Sequence, residues 1–80
     1  MVRATEREIA PRITVDPKVC FGKPVIAGTR VDVVTVLGHL AAGDTVEDTV
    51  AANGVAREDV LAAIEYAAQI VSSEDVHATG

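Results

Sequence analysis

The sequence has few of the residue types from which catalytic and metal sites are built. It contains one cysteine, Cys20, and two histidines, His39 and His77, which lie far apart in the chain. A single cysteine cannot form an internal disulfide, and this spacing matches no pattern of metal ligands. No nucleophile and base stand at a spacing typical of a catalytic site. We therefore expect neither an enzyme nor a bound cofactor. We expect Cys20 to be a buried small apolar residue, and we expect His39 to be structural because no Ser, Cys or acid is spaced to partner it.

The sequence also lacks a long apolar run. No segment approaches the roughly 18 apolar residues that a membrane span needs. The N-terminal residues MVRATEREIAPR contain no apolar stretch of the kind found in a signal peptide. We therefore expect a cytoplasmic protein.

Large side chains are scarce. Phe21 and Tyr66 are the only aromatic residues, whereas 13 alanines and 14 valines dominate the 49% of residues that are hydrophobic. A chain of this size forms one domain and buries only roughly 60% of its extended surface. Because its core is thin, burial of further surface against a second copy or another protein would be favourable. We expect a homodimer.

Charge is divided unevenly along the chain, which has a net charge of −5. Residues 1–30 carry six cations and three acids, for a net charge of +3, and residues 31–80 carry one cation and nine acids, for −8. Two interpretations remain open. The basic part is an arm for nucleic acid, or the two halves pair within the chain or across a dimer. Charge alone favours the second interpretation.

The N-terminal third predicts a small β element. Residues 1–12 mix charge with few apolar groups and predict a flexible basic arm. Ile13–Val15 and Val25–Ile26 are two short β-prone segments, which we expect to lie side by side. Gly22 and Gly28 are suited to positive φ angles, so we expect turns there. The structural turn motif predicted here consists of Gly22, Lys23, Pro24, Gly28, Thr29 and Arg30.

After Gly28 the hydrophobic period changes to about 3.6 and predicts helices. Asp32 is expected to be the N-cap or an acid of the first turn of the first helix. Gly43 is expected to end this helix in a left-handed conformation, and Gly38 within it suggests close contact with another helix. The apolar stripe of the helix consists of Val33, Val36, Leu37, Leu40 and Ala41.

Two more helices are predicted. Thr45 and Asp48 form a variant capping box at the start of the second helix, which Asn53-Gly54 ends. The third helix is expected from about Arg57 to Val71, with residues 72–80 as a flexible tail. Its apolar band is wider than one packing surface can cover. The residues expected at a dimer or partner interface are Val60, Leu61, Ile64, Ala68 and Val71.

Residues 13–71 resemble the domain-of-unknown-function 433 family of prokaryotic proteins, which are described as antitoxin-like. The resemblance rests on Gly22-Lys23-Pro24, Gly28-Thr29-Arg30, Glu58-Asp59-Val60, Ala63 and Tyr66-Ala67. It implies a mainly α protein, a homeodomain-like trihelical bundle similar to a helix-turn-helix, with a small N-terminal β element. It also implies the antitoxin-like component of a type II toxin–antitoxin pair that binds a PIN-like toxin. Asp32, where a proline is usual, and Ala56, where a capping Thr or Ser is usual, depart from the family pattern.

The charges of the third helix argue against DNA binding through that helix. In a helix-turn-helix the third helix would enter the major groove, but here its one cation, Arg57, lies among three acids that would repel phosphate. If operator DNA is bound, the candidate contacts are Arg12, Lys18, Lys23 and Arg30. A structural alternative for Arg30 is an ion pair with Glu47, Asp48 or Glu58.

Two classes of function therefore remain open. The chain is an antitoxin-like regulator that binds a partner and its operator, or a homodimeric protein-interaction module without DNA-binding activity. An enzyme comes last, because the sequence presents no catalytic constellation.

Overall fold

The computed structural model describes residues 5–73. In chain order, this part of the protein contains three short strands and then three helices, so the predicted mainly α fold with a small N-terminal β element is confirmed. The strands are β1 (Arg7–Ala10), β2 (Ile13–Val15) and β3 (Val25–Ile26). A left-handed turn at residues 20–22, in which all three residues have positive φ, lies between β2 and β3. The helices are α1 (Val33–Ala41), α2 (Val46–Asn53) and α3 (Arg57–Ser73).

The strands form one antiparallel sheet in the order β1-β2-β3. The predicted pairing of β2 with β3 is confirmed, and its register places Ile13 opposite Ile26 and Thr14 opposite Val25. All four side chains are buried. The short sheet therefore supplies one wall of the core.

The prediction of a flexible arm over residues 1–12 is wrong for residues 7–10, which form β1. This strand pairs with the free edge of β2, with Arg7 opposite Val15. Just before it, the Thr5 hydroxyl donates to Asp16 Oδ1 at 2.6 Å. The backbone of β1 pairs with the otherwise open edge of β2. Its side chains are mostly exposed, so the sequence of this strand has no hydrophobic pattern that predicts it.

The core lies between the sheet and the three helices and is built from small aliphatic side chains. Tyr66 is half-buried and packs against it. The absence of large rings from the buried cluster fits the thin core expected from composition. The buried cluster consists of Ile13, Ile26, Val33, Val36, Val55, Val60 and Ala63.

The first two helices begin at predicted capping residues. Asp32 is the N-cap of α1, and its Oδ1 accepts from Thr35 N at 2.7 Å. Thr45 and Asp48 form both hydrogen bonds of a capping box at α2. Gly54 then ends α2 in the left-handed conformation, with φ of 64°.

The start of α3 is capped without a hydroxyl. Ala56 cannot cap with its side chain, but the Asp59 carboxylate accepts from Ala56 N at 2.9 Å and so supplies one half of a capping box. The helix continues to Ser73, two residues beyond the predicted end at Val71. The flexible tail predicted for residues 72–80 is therefore wrong for residues 72 and 73, and residues 74–80 lie outside the described part of the chain.

Gly38 has no close neighbour. A Cβ atom at this position of α1 would meet no heavy atom within 4 Å, so the expected close helix contact is wrong. Gly28, in contrast, has the predicted positive φ, +77°. The two glycines thus differ in conformation although neither is crowded.

We predict that alanine at these two glycines has opposite effects on stability. Gly28→Ala places a Cβ in the left-handed region and costs about 1 kcal/mol, whereas Gly38→Ala removes a helix-interior glycine and gains about 1 kcal/mol. For a domain of this size, each change shifts Tm by roughly 4–8 °C, Gly28→Ala downward and Gly38→Ala upward. Thermal denaturation followed by circular dichroism measures both. An unchanged Tm for Gly28→Ala would contradict the expected cost of a Cβ atom at the positive φ angle of Gly28.

Candidate protein-binding surface

The turn motif closes through the side chain of Thr29. Its hydroxyl donates to the Ile26 carbonyl at 2.8 Å and accepts from Val31 N at 3.0 Å. The Ile26 N–H in turn donates to the Val31 carbonyl at 2.9 Å. The Gly28-Thr29 pair therefore reverses the chain after a strand of only two residues, which gives Thr29 a structural role.

The same motif leads into α1. The Pro24 carbonyl accepts from Val33 N at 2.9 Å. Asp32 ends the turn segment, and its pKa is lowered below the ordinary value of 3.8, first by hydrogen bonds from the Thr35 side chain and backbone and then by the nearby positive charge of Lys23. Asp32 is thus a stable anionic cap at neutral pH.

We predict that the Thr29 hydroxyl is needed for stability. Thr29→Val keeps the shape of the side chain but leaves the half-buried Val31 N–H without its acceptor, which should cost about 1–3 kcal/mol. Thr29→Ser is the matched control, because it keeps the hydroxyl and should lose much less. Urea unfolding of the three proteins gives the free energies. Equal losses for the two variants would show that the hydroxyl does not close the turn.

Three of the four candidate DNA-contacting residues lie around the left-handed turn at residues 20–22. Lys18 and Lys23 flank this turn in sequence, and Arg30 is brought to it by a hydrogen bond from Cys20 Sγ to the Arg30 carbonyl at 3.2 Å. All three basic side chains are exposed. We call Lys18, Lys23 and Arg30, with the turn that they surround, the basic turn.

The fourth candidate, Arg12, is engaged elsewhere. Its Nη1 lies 3.0 Å from Asp59 Oδ1, so the cation pairs with the start of α3. Among residues 5–73 Arg30 forms no ion pair, so its proposed bridge to an acid of α2 or α3 is wrong. Glu47 pairs instead with Arg57, at 2.8 Å.

The basic turn presents an aromatic ring that the sequence analysis did not single out. Phe21 is 98% exposed, and both it and Cys20 have left-handed φ angles, of 58° and 50°. Cys20 itself is half-buried and hydrogen-bonded, not a fully buried apolar residue as expected. An aromatic residue directly before a turn glycine, in a chain with only two aromatics, was the available signal for Phe21.

An apolar groove of about 270 Å³ lies between α1 and α3. Val34 on α1 and Val71 on α3 are 70% and 64% exposed, although both are large apolar residues. The groove is open to solvent and has almost no polar lining. Its walls are Pro24, Val33, Val34 and Leu37 on one side, and Tyr66, Ala67, Ile70 and Val71 on the other.

Of the five predicted interface residues, the structure leaves four on the surface. Leu61, Ile64 and Ala68 are exposed on α3, and their helical spacing makes them a stripe beside Val71. Val60 is 0% exposed and packs in the core, so its assignment to the interface is wrong. Sequence periodicity identified the apolar band but not which part of it faces inward. The groove and this stripe together are called the apolar face.

His39 is also structural. Its Nδ1 lies 2.9 Å from Asp44 Oδ2, which ties the end of α1 to the following loop, so the expectation that no acid is placed to pair with His39 is wrong. Within residues 5–73, no group of three or more His, Cys, Asp or Glu residues is placed to hold a metal ion. The helices in this part of the chain are also too short or too polar to cross a membrane.

The fold and motif geometry agree with a family assignment. The family described as "Protein of unknown function (DUF433)" matches residues 13–67, from the start of β2 into the second half of α3. This match covers more than half of the chain, so the protein belongs to the DUF433 family. The expected family membership is thereby confirmed.

A solved structure shows a similar fold. It is the X-ray crystal structure of Rv2018 from Mycobacterium tuberculosis, which has 35% sequence identity and a TM-score of 0.61 over 65% of this chain. The similar region is only 24% of the Rv2018 chain, so the present protein corresponds to about a quarter of that length. No curated protein matched the sequence.

Proposed function

We propose that this protein is a protein-binding module, the antitoxin-like component of a prokaryotic toxin–antitoxin pair, and that it binds partners through the apolar face. The partners proposed are a second copy of the chain and a PIN-like toxin. The observation that carries the binding role is the exposure of Val34, Ile70 and Val71 around one groove. Contiguous exposed apolar surfaces of this kind mark protein interaction sites.

The groove suits a protein side chain better than a small ligand. Ligand pockets generally measure about 300–1,000 Å³ and contain a few converging polar groups. This groove, at about 270 Å³, is close to the lower limit of that range, but it is lined almost entirely by apolar atoms and lacks such polar groups. Covering it with apolar side chains would contribute roughly 25 cal/mol for each Å² removed from water.

The toxin partner and the homeodomain-like arrangement of the helices come from the family resemblance alone. The structure adds an argument about DNA. Arg57, the one cation of α3 in the described chain, already pairs with Glu47, and Asp59 is engaged by Arg12. With no free cation on α3, we propose that any DNA affinity is weak and comes from the basic turn. The absence of enzyme activity and the cytoplasmic location stay predictions.

We predict that the isolated protein is a homodimer at micromolar concentration. Val71→Glu places a charge on the apolar face and should give a monomer, while folding is preserved because the side chain is already exposed. The matched control is Ile9→Glu, since Ile9 is an exposed apolar residue on β1, outside this face. Light scattering after gel filtration gives the masses. A monomeric parent protein, or a dimeric Val71→Glu variant, would contradict the proposed interface.

We predict that the protein alone forms no specific DNA complex tighter than about 1 μM at physiological salt. The remaining affinity should fall with salt and with replacement of Lys18, Lys23 and Arg30 by glutamine. Fluorescence anisotropy with the promoter DNA upstream of the gene tests this, with and without the product of the neighbouring gene. Nanomolar binding by the lone protein that survives these replacements would show that α3 contacts DNA despite its acids.

A further inference from the structure

We propose that Phe21 is the anchor of the homodimer: its ring inserts into the apolar groove of a second copy, and the second copy's Phe21 inserts in return. The inference rests on the proposed function and names the side chain that fills the groove. It joins two features of the structure that have complementary shapes and chemistry, an exposed ring and an empty apolar groove.

The backbone fixes Phe21 in an exposed position. Cys20 and Phe21 are consecutive non-glycine residues with φ of 50° and 58°, a conformation that costs about 1–2 kcal/mol per residue. The turn is held by hydrogen bonds from Gly22 N to the Val19 carbonyl at 3.0 Å and from Lys23 N to the Cys20 carbonyl at 3.1 Å. Strained backbone of this kind clusters at functional sites. Here its effect is to direct a large apolar ring into solvent.

The groove offers what such a ring requires. Aromatic side chains bury about 150–250 Å² and are frequent interface anchors when they fill a desolvated pocket. The walls of the groove are apolar and include Tyr66, with which an inserted ring could form an aromatic pair. A groove of about 270 Å³ accommodates one such anchor and little more.

The anchor and the groove lie close together on one chain. Pro24 forms part of the groove wall and follows Phe21 by three residues, so their Cα atoms are at most about 11 Å apart. A two-fold dimer uses the same surface patch of both copies. A ring close to its own groove is compatible with this condition, because a two-fold axis midway between the ring and the groove would place each ring over the other copy's groove.

The distribution of charge along the chain favours a second copy of the chain, and not a nucleic acid, as the partner at the groove. Residues 5–30 carry five cations and three acids, whereas residues 31–73 carry one cation and seven acids. Reciprocal insertion brings the basic turn, with Lys18, Lys23 and Arg30, towards the helices of the other copy, whose residues 31–73 have a net charge of −6. A nucleic acid would instead have to approach a chain of net charge −5.

The test begins with two substitutions of Phe21. Phe21→Ala should raise the dissociation constant of the dimer by about 30-fold or more, as for an interface hot spot, with an unchanged Tm for the monomer because the ring makes no core contact. Phe21→Trp should retain the dimer. The chain contains no other tryptophan, so the indole emission should shift to shorter wavelength as the protein concentration rises. An unchanged dissociation constant for Phe21→Ala, or an emission maximum independent of concentration, would overturn the proposal.

A mixing experiment tests whether the ring enters the groove. Phe21→Ala keeps the groove and lacks the ring, and Ile70→Glu keeps the ring and blocks the groove. Each variant alone should be monomeric, whereas the mixture should form a heterodimer with one intact contact, detectable by native mass spectrometry. Absence of the heterodimer would overturn the inference. A dimer lost in Val71→Glu but retained in Phe21→Ala would also overturn it while leaving the proposed function intact. A monomeric parent protein would overturn both this inference and the proposed homodimer.

Discussion

The closure of the turn at Gly28 and Thr29 is the constraint on which the rest of the structure depends. With Gly28 in the left-handed conformation, the Thr29 hydroxyl can reach both Ile26 and Val31, so the chain reverses immediately after β3. The two residues of β3 therefore stay buried beside β2. The same turn places Asp32 at the start of α1, where its side chain caps the helix. A longer turn would move the helix away from the sheet and open the core between them.

A second connection joins the sheet to the last helix. Asp59 accepts from Ala56 N and also pairs with Arg12, so one carboxylate both caps α3 and fixes the β1–β2 turn against it. Arg57 and Asp59 at the start of α3 are thus both paired within the chain. At its other end Ile70 and Val71 are exposed apolar side chains, which is why binding to a protein partner follows more directly from this structure than recognition of phosphate.

The parts of the fold that the sequence predicted are those set by local chemistry. Asp32, Thr45 and Gly54 act within one turn of their own positions, so residue type alone identifies them. Strand β1 was missed because its stability comes from pairing with β2, not from its own side chains. Val60 was assigned to the interface and Phe21 was overlooked for a related reason: which side of a helix faces inward, and where a strained turn directs a ring, depend on tertiary packing.

The distribution of contacts along α3 has a consequence for its dynamics. Its first half contains the fully buried Val60 and Ala63, whereas every residue from Ala68 to Ser73 is exposed. Amide hydrogens of the last turns are therefore held by local helix formation alone and should exchange with solvent much faster than those near Val60. Since Ile70 and Val71 line the groove, the affinity for the proposed partner would be coupled to the helix–coil equilibrium of these turns. Temperature and solvent composition would then adjust the proposed binding without altering the core.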